Sequence, residues 1–181
     1  MNVCDYAREL GITTSIEFRP AVLVPEERIR AYCRADECRN YGKNYMCPPY
    51  IGTLEEIAAR LAGYDRGILF QYEKWLDVKN DLSGLVRTKD DFHGKILRIE
   101  SYLQQQGIRD VWGLIGGNCG LCGPCRAVDG EPCPYPDRAR PSLESMAVDV
   151  QKFLARFGLD LEFRGDRITW TGAVLYRSGP A

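Results

Sequence analysis

Apolar residues recur along the chain at two different periods, and the switches between them mark its elements. Asn2 to Leu10 reads as a short helix, and Thr14 to Phe18 alternates as a strand. Pro25 to Cys33 opens with proline at a favoured first helical position. Thr53 and Glu56 form a capping box ahead of Leu54, Ile57, Ala58 and Leu61, one apolar helical face that Gly63 stops. Gly67 to Trp75 begins with an unbroken apolar run, as a strand covered on both faces does.

Asp77 to Arg87 reads as a loop. Lys89 to Gln106 is the longest expected helix, with Phe92, Ile96, Ile99 and Leu103 on one stripe and Gly107 closing it. Asp110 to Ile115 is a short strand. Ser142 is expected to cap a helix carrying Leu143, Met146, Ala147, Val150, Phe153 and Leu154 as far as Gly158. Leu159 to Phe163 and Ile168 to Arg177 read as a terminal hairpin around Arg164 to Arg167, with the last four residues loose. These elements predict a mixed α/β (α+β) fold in a single layered domain over residues 1–181. Its central sheet has about five strands with packed helices, and cysteine-rich, metal-carrying loops lie at element ends.

Composition narrows the function. With 181 residues, 45% of them apolar, the chain can close one ordinary core without staples. The 24 basic residues against 25 acidic ones, without a polybasic block, point to neither a nucleic-acid nor a membrane surface. No apolar run approaches the roughly 18 residues of a membrane span, and the charged start MNVCDYAREL does not resemble a secretory leader. The expected location is therefore cytoplasmic, where thiols stay reduced.

Eight cysteines against one histidine leave thiolate as almost the only soft ligand. Their tight clustering in a reducing compartment favours metal over disulfides. Cys119, Cys122, Cys125 and Cys133 form a C-x2-C-x2-C-x7-C-P array, similar to the bacterial ferredoxin run except that its final gap is three residues. Three thiols at successive two-residue gaps let one loop wrap three corners of an iron-sulfur cube, and Gly116, Gly117, Gly120 and Gly123 let backbone amides approach sulfur. Zinc could use the same four thiols at about 2.3 Å, although zinc sites usually draw separated C-x2-C pairs. Cys33, Cys38 and Cys47 form a C-x4-C-x8-C-P-P array of three. Its fourth ligand could be Cys4, His93, a carboxylate or nothing, and ligands could also cross between the groups.

Other residues take the simpler reading first. Cys4 reads as a small buried hydrophobe. His93 and Glu100, on one helix face, read as a solvated or hydrogen-bonded pair, with metal binding the alternative. Tyr41, Tyr45, Tyr50 and Tyr135 read as core packing before aromatic shielding of a cluster. Ser142 is expected to cap a helix, and Arg138 and Arg140 to pair with surface carboxylates rather than dock an anion. No hydrolase, nucleotide or radical-enzyme motif is present.

C-x4-C-x2-YG-x4-CPP at Cys33 to Pro49, the helix with His93 and Glu100, and GGNCxLCGPC with CPYP, RPSLE and VDV at Gly116 to Val150 together resemble one family. It is the predicted metal-binding family called domain of unknown function 2284. The resemblance implies metal ligation by Cys33, Cys38, Cys47, Cys119, Cys122, Cys125 and Cys133, and leaves Cys4 outside. Two departures from its pattern are Ala147, where glycine is expected, and Pro134, where a basic residue usually follows the last cysteine. The expected function is an iron-sulfur protein with one or two 4Fe-4S clusters, acting in electron transfer or as a redox component for a partner enzyme. The alternatives are a zinc-stabilised interaction module and an enzyme using an open iron as Lewis acid on a small-molecule substrate. A redox partner protein is expected; nucleic acid and membrane are not.

Overall fold

The computed structural model describes residues 2–160 and 163–179. In chain order the helices are α1 (Val3–Glu9), α2 (Glu27–Ala35), α3 (Leu54–Ala62), α4 (Leu82–Gln105) and α5 (Val150–Ala155). The strands are β1 (Thr14–Phe18), β2 (Arg66–Trp75), β3 (Val111–Leu114), β4 (Phe163–Arg164) and β5 (Arg167–Tyr176). Among the described residues they form one antiparallel sheet in the order β1-β2-β5-β3, with the two-residue β4 also on β5.

Strand alternation sorts the core into two clusters, one on each face of the sheet. Ile68, Phe70 and Tyr72 of β2 and Val174 of β5 meet α1 and the α4 stripe of Phe92, Ile96, Ile99 and Leu103. Leu69, Ala173 and Leu175 point the other way, toward Ile57 and Leu61 of α3 and Phe153 and Leu154 of α5. Both faces of β2 are therefore covered, which is why its apolar run is continuous. Gly172 has no room for a side chain: a Cβ there would strike the Leu114 carbonyl oxygen and lie 3.0 Å from the Phe92 ring.

Three expectations need correction. Asp77 to Arg87 is not all loop: α4 begins at Leu82, because the Asp81 side chain accepts the Gly84 amide and caps it. Pro25 does not open α2. It pairs with Val148 in an isolated bridge, and the Glu26 amide donates to the Ala147 carbonyl at 2.8 Å. That same bridge divides the helix expected from Ser142. Residues 143–147 form turns, Ala147 takes a left-handed φ of 61°, and α5 starts only after the Asp149 cap. A left-handed position is one glycine occupies readily, which fits the glycine expected at this position. The expected Leu159 to Phe163 strand falls partly on residues 161–162, outside the described residues, and only Phe163 belongs to β4.

Candidate metal centre

The first cysteine group grows out of α2. Cys33 sits in its last turns, and Asp36 ends it in a left-handed C-cap with φ 54°. The Asp36 carboxylate then accepts the Tyr41 amide at 2.7 Å and the Lys43 ammonium at 2.8 Å, folding the next segment back. Asn44, buried, accepts the Met46 amide at 3.0 Å and donates to the Cys119 carbonyl at 3.0 Å. One amide side chain thus shapes the Cys47 turn and fastens it to the second group. Tyr45 adds a further tie, donating to the Glu131 carbonyl at 2.8 Å.

These turns bring Cys33, Cys38 and Cys47 to a single cavity of about 280 Å³, whose wall also holds Asn40, Tyr41, Ser142 and Ser145. Gly117 and Asn118, the two residues before Cys119, line the same cavity. Cys38 is exposed at this site while Cys47 is buried. Burial, followed by the neighbouring thiols Cys38, Cys33, Cys119 and Cys125, pushes the Cys47 thiol up to about 12. Burial also raises Cys33, and the Arg30 guanidinium opposes it.

The second group occupies one long loop from Gly116 to Pro141. Its feet are clamped together, the Ile115 amide donating to the Pro141 carbonyl at 2.9 Å beside a bridge between Ile115 and Ser142. Loops of this length are uncommon inside a compact domain, and where they are held in place, as here, a functional role is the usual reason. Two buried residues of α4 fasten the returning limb. His93 Nε2 bonds the Arg138 carbonyl at 2.9 Å. Glu100 receives Arg140 in a fork, Nε at 2.8 Å and Nη2 at 2.9 Å, and also accepts the Gly113 amide. Cys119 is raised by burial, while the backbone amides of Leu121 and Arg140 favour its thiolate by hydrogen bonding. Cys122, Cys125 and Cys133 are half-buried in the same loop, and Cys125 caps a short turn at Arg126–Val128.

All eight cysteines are free thiols. Among the described residues no three His, Cys, Asp or Glu side chains stand as a ready metal cage. Bond lengths to sulfur of about 2.3 Å need deprotonated thiols, and burial makes that ionisation harder at Cys33, Cys47 and Cys119.

Several residues stand elsewhere than expected. His93 is buried and engaged with a carbonyl, and Glu100 is engaged with Arg140, so both position the loop. Arg140 pairs with this buried carboxylate rather than a surface one, a long-range contact that no local sequence signal reveals. Cys4, by contrast, packs as a small hydrophobe beside the α1–α4 cluster as expected, and its charged neighbours are Glu17, Asp5 and Arg8, none of the other thiols. Tyr50 and Tyr135 are 49% and 42% exposed, so they do not pack in the core, whereas Tyr41 lines the thiol cavity. Two residues escaped the sequence reading altogether. Asn44 had a signal in its place between two tyrosines of a cysteine loop, and Arg30 had one in its spacing of three from Cys33 on α2.

A family model described as a predicted metal-binding protein (DUF2284) matches residues 17–176. No curated protein matches the chain, and no solved structure does.

Proposed function

The chain belongs to the DUF2284 family of predicted metal-binding proteins, and from that premise we propose that it is an iron-sulfur protein. In this reading thiols of both cysteine groups hold one or two 4Fe-4S clusters, and the protein passes electrons to a partner enzyme. The observation that carries the reading is the shared cavity, with Cys33, Cys38 and Cys47 around it and the approach to Cys119 in its wall. The donor set fits a cluster: thiolates are its protein ligands, and amides aimed at sulfur tune it. Cys119 already has two such amides.

A bound cluster supplies reversible one-electron exchange. The chain's own residues do the rest. Asn44 and Tyr45 hold the two loops together, His93 and Glu100 fix the returning limb, and Cys47 is the one buried thiol at the cavity. A second reading rests on the count of thiols at the cavity, three rather than four. In it one iron would be open to a small-molecule ligand, and Asn118 and Ser142 of the cavity wall would offer polar contacts.

Electron paramagnetic resonance of the anaerobically purified, dithionite-reduced chain tests the proposal. A reduced-cluster signal supports it, and a change in that signal on adding small anions or thiols supports the open-iron form. A colourless protein holding stoichiometric zinc overturns both and leaves a zinc-stabilised module.

A further inference from the structure

Among the described residues Arg30 is a buried cation without a counter-ion. It lies on α2, is 7% exposed, and uses one nitrogen, Nη1, in a 3.3 Å bond to the Gly52 carbonyl. Nε and Nη2 have no hydrogen-bond partner. A guanidinium stays charged at any pH the protein meets, and burying it unpaired is costly. The same fold shows the ordinary remedy at Arg140, which is forked onto Glu100. Arg30 has no such carboxylate, because Glu27 on the same helix is taken by Arg34.

Its neighbours identify the missing anion. Arg30 and Cys33 are three residues apart on α2, a spacing that places them on one helix face. Burial works against its charge, and Cys33 once ionised, then Tyr41, would most favour it, ahead of Glu27. Tyr41 belongs both to the thiol cavity and to the neighbouring cavity of about 410 Å³ that Arg30 lines. The unpaired cation thus stands directly behind the wall that carries the first cysteine group. While those thiols are protonated the guanidinium has nothing to neutralise; once they are thiolates on a metal, the pocket becomes anionic beside it.

We propose that Arg30 is a positioning residue, the fixed countercharge of the metal–thiolate assembly in the first cysteine pocket. This rests on the metal-centre reading, and it holds for either metal, since zinc and iron-sulfur thiolate sites are both anionic. Its physical consequence is a trade. The unpaired cation destabilises the metal-free fold and stabilises the loaded one, and in a cluster it favours the form carrying one more electron, raising the potential.

The test compares Arg30→Met and Arg30→Lys with the wild-type full chain, in three measurements. Melting of the metal-free protein is expected to be unchanged or higher in Arg30→Met. Loaded Arg30→Met is expected to release metal to a chelator roughly 10- to 100-fold faster, the usual cost of losing a partner of the ligands. Its reduction potential, if a cluster is present, falls below wild type. Arg30→Lys, which keeps the charge, recovers most of the retention. The proposal is overturned if Arg30→Met retains metal as wild type does, if Arg30→Lys fails as completely as Arg30→Met, or if metal-free Arg30→Met melts lower than wild type. Wild-type protein that takes up no metal overturns the centre itself, a separate result seen before any variant is made.

Discussion

Replacing Glu100 by alanine asks whether one buried ion pair holds the four-cysteine loop against α4. The carboxylate is 3% exposed and the Arg140 side chain 15% exposed, and they meet through two bonds of 2.8 and 2.9 Å. Glu100 also accepts the Gly113 amide of β3. Truncation therefore leaves the Gly113 amide without its partner, and a guanidinium without its carboxylate that keeps only the Nη1 bond to the Ala139 carbonyl, in a largely dry site. Removing one partner of a buried pair costs about 3–5 kcal/mol, and contributions within one network do not add. The expected loss is about 4 kcal/mol, which for a domain of this size lowers Tm by about 10 °C. Urea titration and thermal melting of the metal-free chain measure it. Glu100→Gln keeps an acceptor for Gly113 and is expected to lose about half as much. Glu100→Leu combined with Arg140→Met removes both charges and costs less than Glu100→Ala alone. A loss below about 1 kcal/mol for Glu100→Ala would put the pair among weak surface bridges and refute its anchoring role.

Metal uptake by the apo-protein is expected to strengthen with pH, because each ligating thiol must first lose a proton and burial makes that harder at Cys33, Cys47 and Cys119; a chelator competition independent of pH across neutrality contradicts this. The raised Cys47 thiol favours the metal-free fold fully below its ordinary value of 9.0 and progressively less as pH climbs toward about 12, so stability is expected to fall by about 1.4 kcal/mol per pH unit there, as urea titrations at stepped pH can show. Gly172→Ala drives a Cβ against the Leu114 carbonyl and is expected to cost at least about 1–3 kcal/mol, read by the same titration, with neutrality the refuting result. Cys122→Ser is expected to lower bound metal while Cys4→Ser leaves it intact, by metal analysis of each purified variant; equal loss in both would return Cys4 to the ligands.

Local signals were readable where one residue or period decides the outcome. Thr14–Phe18 is a strand from its alternation, and the reciprocal Thr53 and Glu56 bonds open α3 where the capping box places them. The α4 stripe is buried as its spacing implies. Failures occurred where distant chain intervenes. Val148 pairs with Pro25 across more than a hundred residues and breaks a helical period that is clean in sequence. Asp81 starts α4 inside a stretch whose glycine and polar residues resemble a loop, because Gly84 there serves the cap. The same divide runs through the candidate site. Cysteine spacing marked out seven candidate ligands, but not that Cys33, Cys38 and Cys47 share one cavity, nor that His93, Glu100 and Asn44 hold the loops, since those bonds join residues far apart in the chain.

Iron, zinc and acid-labile sulfide quantified per chain, in anaerobically purified wild type and Cys47→Ser, decide whether the thiols hold a cluster. Iron and sulfide are expected in equal amounts in the wild type, with visible absorption, and both are expected to fall clearly when the buried thiol at the cavity is removed. Sulfide-free protein, or iron and sulfide unchanged in Cys47→Ser, would contradict the cluster reading.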